Sequence, residues 1–232
     1  ATISNGSALV VFTQCKYLFN RQKINFGKDL IEINGLQLTD TLGNSGVVSG
    51  KIKHHFFRDF AFENVRMETS KMLLLNTTKK DNNQFYGTVI GNALLTLEGP
   101  LSDMVMNISG QPSALDSSHI YLPTTDTKES NKIDYIDFIK FGSEMDVNNK
   151  GAQSSNLTVN LSLVANPACK IDVILDEETG DIIKGEGNGR LYIRVGTMEP
   201  LTIRGRYELT KGEHTFTFQT IVNRPFTLKR GT

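Results

Sequence analysis

The sequence lacks an excess of charge of either sign, and it lacks any long apolar run. Its 232 residues include 25 Lys and Arg against 25 Asp and Glu, so the formal net charge is zero. Nucleic-acid-binding proteins usually carry a net positive surface, because contacts with phosphates supply much of their affinity. The composition therefore argues against that class. No stretch approaches the roughly 18 consecutive apolar residues of a bilayer-spanning helix.

The first residues also lack the positively charged and apolar segments of a secretory signal. The chain begins inside an apolar, strand-like pattern at residues 8–12 and stops abruptly after Thr232. We therefore expect it to be a segment of a longer protein, with any membrane anchor outside the segment.

Residues that carry out catalysis or bind metals are scarce. Cys15 and Cys169 are the only cysteines, so there is no disulfide framework, and one bridge or two reduced thiols remain open. The four histidines show none of the spacings of zinc sites. There is no Gly-x-Ser-x-Gly elbow and no nucleophile with a recognisable base partner. We predict that the protein is not an enzyme and has no cofactor and no metal site.

Amphipathic helical periodicity is nearly absent, and apolar and polar residues alternate instead through most of the chain. Successive side chains of a strand point to opposite faces, so this period of two gives each strand one apolar and one polar face. The clearest runs lie in residues 157–165, 190–195 and 201–209. With the weaker runs of the first half, the pattern predicts about 14 strands at the spacing typical of all-β proteins.

Residues 124–156 interrupt the alternation. They are rich in Asp, Lys, Ser, Asn and Thr, with one apolar island at 133–141. We interpret them as a long polar connection. They separate an N-terminal β lobe, residues 1–123, from a C-terminal β lobe of the same style, residues 157–232.

An apolar sheet face must be covered by another sheet, by helices or by a ligand. The chain offers essentially no helices for this purpose. About 14 strands side by side would span of order 65 Å, which is long for a closed barrel. The sequence therefore favours an all-β, mostly antiparallel, curved sheet that forms an open or half-closed trough, and a β-sandwich or barrel is the alternative.

Two local motifs suggest ligands but have simpler explanations. Gly185, Gly187 and Gly189 form a Gly-x-Gly-x-Gly run, but it continues into a strand and not into the helix of a phosphate loop. We expect these glycines to permit curvature or close packing in a sheet. The acidic cluster around Thr179 and Gly180 matches no calcium loop and indicates a solvated hairpin turn.

Residues 165–232 resemble the C-terminal domain of the TamB family, the translocation and assembly module proteins, in the form found in Bacteroidetes. The resemblance rests on the order and spacing of several modest motifs. They are Asp176-x-x-x-Gly180-Asp181, Gly185-x-Gly-x-Gly189-x-Leu191, Gly205-x-Tyr207, Phe216-x-Phe218 and Phe226-x-Leu-x-x-Gly231. The first half also resembles the family, for example at Val48-x-Gly50-x-Ile52-x-His54, so the resemblance covers most of the chain except residues 124–156.

The resemblance implies a long sheet folded into a taco-like groove with an apolar interior. It also implies a periplasmic location, in a protein anchored to the bacterial inner membrane, and an outer-membrane partner of the Omp85 class such as TamA. The expected cargo is phospholipid acyl chains moving between the two membranes, or nascent outer-membrane protein.

Our leading hypothesis is a lipid conduit whose groove is lined by alternate residues of the C-terminal strands. The predicted groove residues are Leu157, Val159, Leu161, Leu163, Leu191, Ile193, Val195, Ile203, Tyr207, Phe216 and Phe218. Two rival functions are a chaperone that pairs its sheet edges with outer-membrane proteins and a plain structural β domain with a closed core.

Overall fold

A computed structural model describes residues 2–123, 155–177, 179–218 and 222–229. All regular structure in these residues is β-strand. The strands are β1 (Thr2–Val10), β2 (Cys15–Phe26), β3 (Leu30–Asp40), β4 (Ser45–His55), β5 (Arg58–Thr77), β6 (Tyr86–Pro100), β7 (Met104–Pro112), β8 (Ser118–Pro123), β9 (Leu157–Ala165), β10 (Cys169–Asp176), β11 (Asp181–Gly196), β12 (Thr202–Phe218) and β13 (Val222–Leu228).

All 13 strands belong to one sheet. Consecutive strands from β1 to β7 pair as antiparallel neighbours, and β11, β12 and β13 pair in the same way. Only β7 with β9 and β8 with β10 are parallel. The predicted all-β class and the long, mostly antiparallel sheet are confirmed. The strands on either side of residues 124–154 join one sheet, while the predicted polar connection itself lies almost entirely outside the described residues.

Six strands form a closed circuit of pairings in the order β6, β7, β9, β11, β10 and β8. The registers explain this circuit. Strands β7 and β8 lie end to end along one edge of β6, and β9 and β10 lie end to end along one edge of β11. These six strands form a small closed barrel within the larger sheet. A barrel is the alternative that the sequence also allows.

Polar side chains make hydrogen bonds to the backbone at the two gaps in the sheet, one between β7 and β8 and the other between β9 and β10. The Ser118 hydroxyl lies 3.1 Å from the backbone nitrogen of Ile90, from which it accepts a hydrogen bond. The Asn166 side-chain amide donates to the Pro112 carbonyl at 2.6 Å. Buried backbone groups that lack a neighbouring strand need such partners, so both interruptions stay within a continuous sheet.

The first half of the sheet curls until β2 reaches the far end of β5. Strand β4 pairs with β5 only as far as Gly46 opposite Thr69, whereas β5 continues to Thr77. Along this extension, the Leu73 N–H donates to the buried Asp40 carboxylate at 2.7 Å, and the Tyr17 hydroxyl donates to the Leu73 carbonyl at 2.9 Å. The sheet therefore closes over itself at this end.

The main core lies inside the curl. It consists of buried apolar side chains from β2, β3 and β5, and partly buried residues of β4 and β6 pack against it. Cys15 belongs to this core, Cys169 is buried elsewhere, and both thiols are free. Burial raises the pKa of the Cys169 thiol to about 11.

Two details differ from the sequence pattern. The apolar run at residues 8–12 predicts one strand, but β1 ends at Val10, and Val11 and Phe12 lie in a turn. The alternation also predicts that Leu175 shares an inner face with Ile171 and Val173. A register irregularity after Ile174 instead leaves Leu175 37% exposed. By contrast, the alternation of the sequence changes phase at Asn34-Gly35, which predicts a turn or bulge there. The structure confirms this prediction, with φ of 70° at Gly35 and a register shift between Ile33 and Leu36.

Asp40 provides a test of the closure. Its carboxylate accepts hydrogen bonds from the backbone of Leu42, Asn44 and Leu73 and from the Asn44 side chain. Burial favours a higher pKa, but these hydrogen bonds outweigh burial and hold the pKa of Asp40 below its usual value. We expect Asp40→Ala to lower the free energy of unfolding at pH 7 by about 2–3 kcal/mol, since it removes the acceptor from several donors.

Urea denaturation of Asp40→Ala and of Asp29→Ala, an exposed control in the turn after β2, measures this loss. Because the folded-state pKa is lowered, the Asp40 contribution is complete above the unfolded pKa of about 4 and disappears as the pH falls below it. The difference between the two variants should therefore shrink in acid. Equal stability of the two variants at pH 7 would contradict the role of Asp40.

Candidate functional site

The strongest candidate site is the apolar face on the inside of the curved sheet, opposite its polar outer face. Residues directly opposite each other on neighbouring strands share a face, so the registers define rows of side chains across the sheet. Two rows form the floor. The first is Leu97, Met106, Val159 and Val195, and the second is Leu95, Ile108, Leu161 and Ile193.

A cavity of about 130 Å³ lies above this floor, between side chains of β5 to β9 and β11. The described lining is apolar apart from Thr13 and Gln111, and no charged side chain contributes to it. An apolar lining of this kind favours hydrocarbon over water.

The roof of the cavity comes from outside the floor strands. Phe12, in the turn between β1 and β2, meets Phe85 edge to face with ring centroids 5.6 Å apart. Both rings border the cavity, as does Leu201 from the turn between β11 and β12. The Asn76 N–H donates to the Thr13 carbonyl at 2.8 Å, so β5 fixes the turn that carries Phe12.

The same face becomes open towards β12 and β13. Ile203 lies opposite Ile193 and extends the second floor row. Ile203, Phe216 and Phe226 are 40%, 41% and 51% exposed, respectively. The inner face therefore consists of a covered part over β6 to β11 and an uncovered part on the last two strands, where His214 and Arg224 lie among the apolar side chains. We call the two parts together the groove.

The structure brings together five of the predicted groove residues as cavity lining: Val159, Leu161, Leu163, Ile193 and Val195. Leu157 is buried beside Met104 in the adjoining core cluster. Leu191 lies opposite Leu163 on the same face.

The remaining four predicted residues all belong to β12. Ile203 and Phe216 lie on the uncovered part of the groove, and the side chain of Phe218 lies outside the described residues. Tyr207 is half-buried, opposite Gly189, and does not line the cavity. Whether any of these residues contacts cargo stays a prediction.

Close packing of β12 on β11 explains the Gly-x-Gly-x-Gly run. A Cβ at Gly187 or Gly189 would lie 2.2 Å or 2.3 Å from a backbone carbonyl oxygen of β12 and 3.0 Å or 3.1 Å from the Tyr207 ring, and one at Gly185 would lie 2.6 Å from Leu209. The glycines therefore let both the backbone and the side chains of β12 approach β11, as expected for close packing within a sheet. A phosphate loop is not needed to account for them.

Sequence reasoning missed the roof of the cavity. Phe12 has the alternation of a strand residue, and Phe85 stands at the start of an apolar run, so neither carries a local signal for covering another strand. Their proximity depends on contacts between residues far apart in sequence. A pattern of period two identifies the floor of a groove but not what covers it.

Other ligand sites receive little support. Within the described residues, no group of three or more Asp, Glu, His or Cys side chains is placed to hold a metal ion. The acidic cluster forms the turn between β10 and β11, with Asp176 opposite Asp181 and Gly180 at φ 75°. The expected hairpin turn is confirmed. No helix in the described ranges is long and apolar enough to cross a membrane.

Comparison with known families gives one match: the profile of the TamB C-terminal domain matches residues 34–232. The match covers the floor strands, the cavity wall from β5 and the uncovered strands β12 and β13. It concerns the family and not its Bacteroidetes form, which stays a prediction. No curated protein and no solved structure matches significantly.

Tyr207 offers a pH test of how β12 packs on β11. Its hydroxyl is buried and has no hydrogen-bond partner among the described residues, and burial raises its pKa to about 12. Between about pH 10 and 12 the unfolded state loses this proton first, so stability falls as the pH rises. Tyr207→Phe should therefore lose less stability than the parent between about pH 10 and 12, and should change stability at pH 7 by no more than about 1 kcal/mol.

Thermal unfolding followed by circular dichroism checks this expectation, with Tyr192→Phe on the exposed outer face as the control. If Tyr207→Phe, the parent and the control all lose the same amount of stability as the pH rises, the Tyr207 hydroxyl is solvated and the expectation is wrong.

Proposed function

Because the chain belongs to the TamB family, we propose that it is the periplasmic part of a cell-envelope protein whose groove shields phospholipid acyl chains between the inner and outer membranes. The single observation that carries this proposal is the apolar cavity over the floor rows, which continues into exposed apolar side chains on β12 and β13. The proposed role is transport and not catalysis.

The composition of the groove suits a sliding cargo. Burial of each acyl CH₂ is worth roughly 0.8 kcal/mol, so binding strengthens with the length of acyl chain that the groove covers. No charged residue is among the described cavity residues, and Thr13 and Gln111 are the polar ones in that lining. A chain in such a groove meets similar free energies at successive positions, and this favours movement along the groove over retention at one point.

The wider assembly is proposed from the family alone. A membrane anchor outside this segment would hold the protein in the inner membrane, and an Omp85-class protein such as TamA would receive it at the outer membrane. The direction of lipid movement depends on these components and not on the groove.

A second candidate function, strand pairing with nascent outer-membrane proteins, is favoured by the sheet edges. Among the described strands, β1 pairs only with β2 and β13 pairs only with β12. Each therefore presents a row of backbone N–H and C=O groups that an added strand could use. This candidate places the cargo along an edge, whereas lipid shielding places it in the groove.

Charge substitution in the groove tests lipid shielding. Leu161→Asp and Ile193→Arg each put a charge among the floor rows, and Ile203→Arg puts one on the exposed part of the face, where folding tolerates it better. Because an isolated charge in an apolar site is strongly unfavourable, we expect each folded variant to lose most of the phospholipid that co-purifies with the parent. Mass spectrometry of lipid extracts gives the amount.

Val105→Asp is the matched control, since Val105 lies on the floor strand β7 but on the outer face, away from the arginine residues of β11 and β12, and is 37% exposed. It should keep the parental amount of bound lipid. Unchanged lipid in folded Ile203→Arg and Leu161→Asp would contradict the proposal. Photocrosslinks to outer-membrane protein from β13, combined with that result, would favour strand pairing.

A further inference from the structure

The outer face of β11 and β12 divides into two halves of different charge. In the half near β10, acids and bases face each other across the strands, with Lys184 opposite Glu213 and Glu186 opposite Lys211. Lys170 of β10 extends the second row beside Glu186. Opposite charges in directly facing positions stabilise a sheet. The acids and bases of this half therefore compensate one another without a binding partner.

The other half of the same two strands breaks this pattern. Arg190 faces Arg206 directly, and Tyr192 faces Arg204. Like charges in facing positions are destabilising. The paired half shows that this sheet places acids opposite bases, so the facing arginines are not explained by strand pairing.

The arginines of this half are not neutralised within the described chain. Arg194 forms an ion pair with Glu199, at 2.6 Å and 2.9 Å, but no ion pair is found in the described ranges for Arg190, Arg204 or Arg206. All three are exposed. The acid nearest to them in the strands is Glu208, which lines the same shallow depression as Arg190 and Arg206. Three arginines against one glutamate leave a net positive patch.

Two apolar side chains lie among these arginines on the same face. Tyr192 is 57% exposed, and Val164, opposite Arg190, is 41% exposed. An aromatic and an aliphatic side chain beside unpaired arginines suit a partner that offers both anionic and apolar groups. We call Arg190, Arg204, Arg206, Tyr192 and Val164 the arginine patch.

We propose that the arginine patch docks the protein on the surface of an anionic phospholipid bilayer. A planar guanidinium offers two parallel N–H donors to phosphate oxygens, and tyrosine favours the boundary between headgroups and acyl chains. The chain as a whole carries no net charge, so attraction to the membrane would act through this patch and not through the entire surface. The patch lies on the face opposite the groove, and the proposal stands independently of lipid shielding.

Vesicle co-sedimentation of the purified chain tests this. The vesicles contain either phosphatidylglycerol mixed with phosphatidylcholine or phosphatidylcholine alone. The parent should bind the anionic vesicles in a salt-dependent manner and should bind the neutral vesicles weakly. Each arginine near an anionic surface strengthens binding about fivefold, so Arg190→Gln/Arg204→Gln/Arg206→Gln should weaken it by about 100-fold.

The control variant removes the same number of positive charges from the paired half: Lys170→Gln/Lys184→Gln/Lys211→Gln. It should bind the anionic vesicles within a few-fold of the parent. Thermal unfolding verifies that the arginine variant is folded, and loss of the Arg190–Arg206 repulsion should leave its Tm unchanged or raised. The proposal is overturned if the arginine variant binds like the parent, if both variants lose binding equally, or if the parent binds neutral vesicles as well as anionic ones.

Discussion

The fold depends on the backbone of Leu73, whose N–H donates to the Asp40 carboxylate and whose carbonyl accepts from the Tyr17 hydroxyl. Strand β5 continues beyond its pairing with β4, and an exposed stretch of strand edge would otherwise remain there. Side chains from β2 and β3 occupy this edge. They convert an open ribbon of strands into a curled sheet with an inside and an outside.

The groove follows from this closure. Once β2 lies against the end of β5, the preceding turn places Phe12 against Phe85 above the floor rows. The floor does not depend on such long-range contacts, because the registers of β6, β7, β9 and β11 align apolar residues in rows. The covered and uncovered parts of the groove therefore have different origins: the first depends on long-range polar contacts, the second on alternation alone.

The alternation of the sequence was sufficient to predict the floor and insufficient to predict the roof. Val159, Leu161, Ile193 and Val195 line the cavity, as their period of two indicates, because a strand fixes the face of every second residue. The hydrogen bond between Leu73 and Asp40 spans 33 positions of the sequence, and the one between Leu73 and Tyr17 spans 56. A local sequence pattern carries no information at such separations. Tyr207 likewise has the alternation of a groove residue, but its ring packs against Gly187 and Gly189 of the neighbouring strand. The alternation within β12 does not predict this contact, because the contact depends on how β12 pairs with β11.

In the proposed function, acyl chains lie between the floor and the roof. The chain contains no tryptophan, so Phe12→Trp and Val105→Trp each introduce a single fluorescent reporter, one in the roof and one on the outer face away from the arginine patch. Each protein is loaded with phospholipid brominated on its acyl chains and separated from free vesicles, and quenching of the tryptophan fluorescence is measured. We predict strong quenching at position 12 and little at position 105. Equal quenching at both positions, or stronger quenching at position 105, would contradict lipid shielding by the groove.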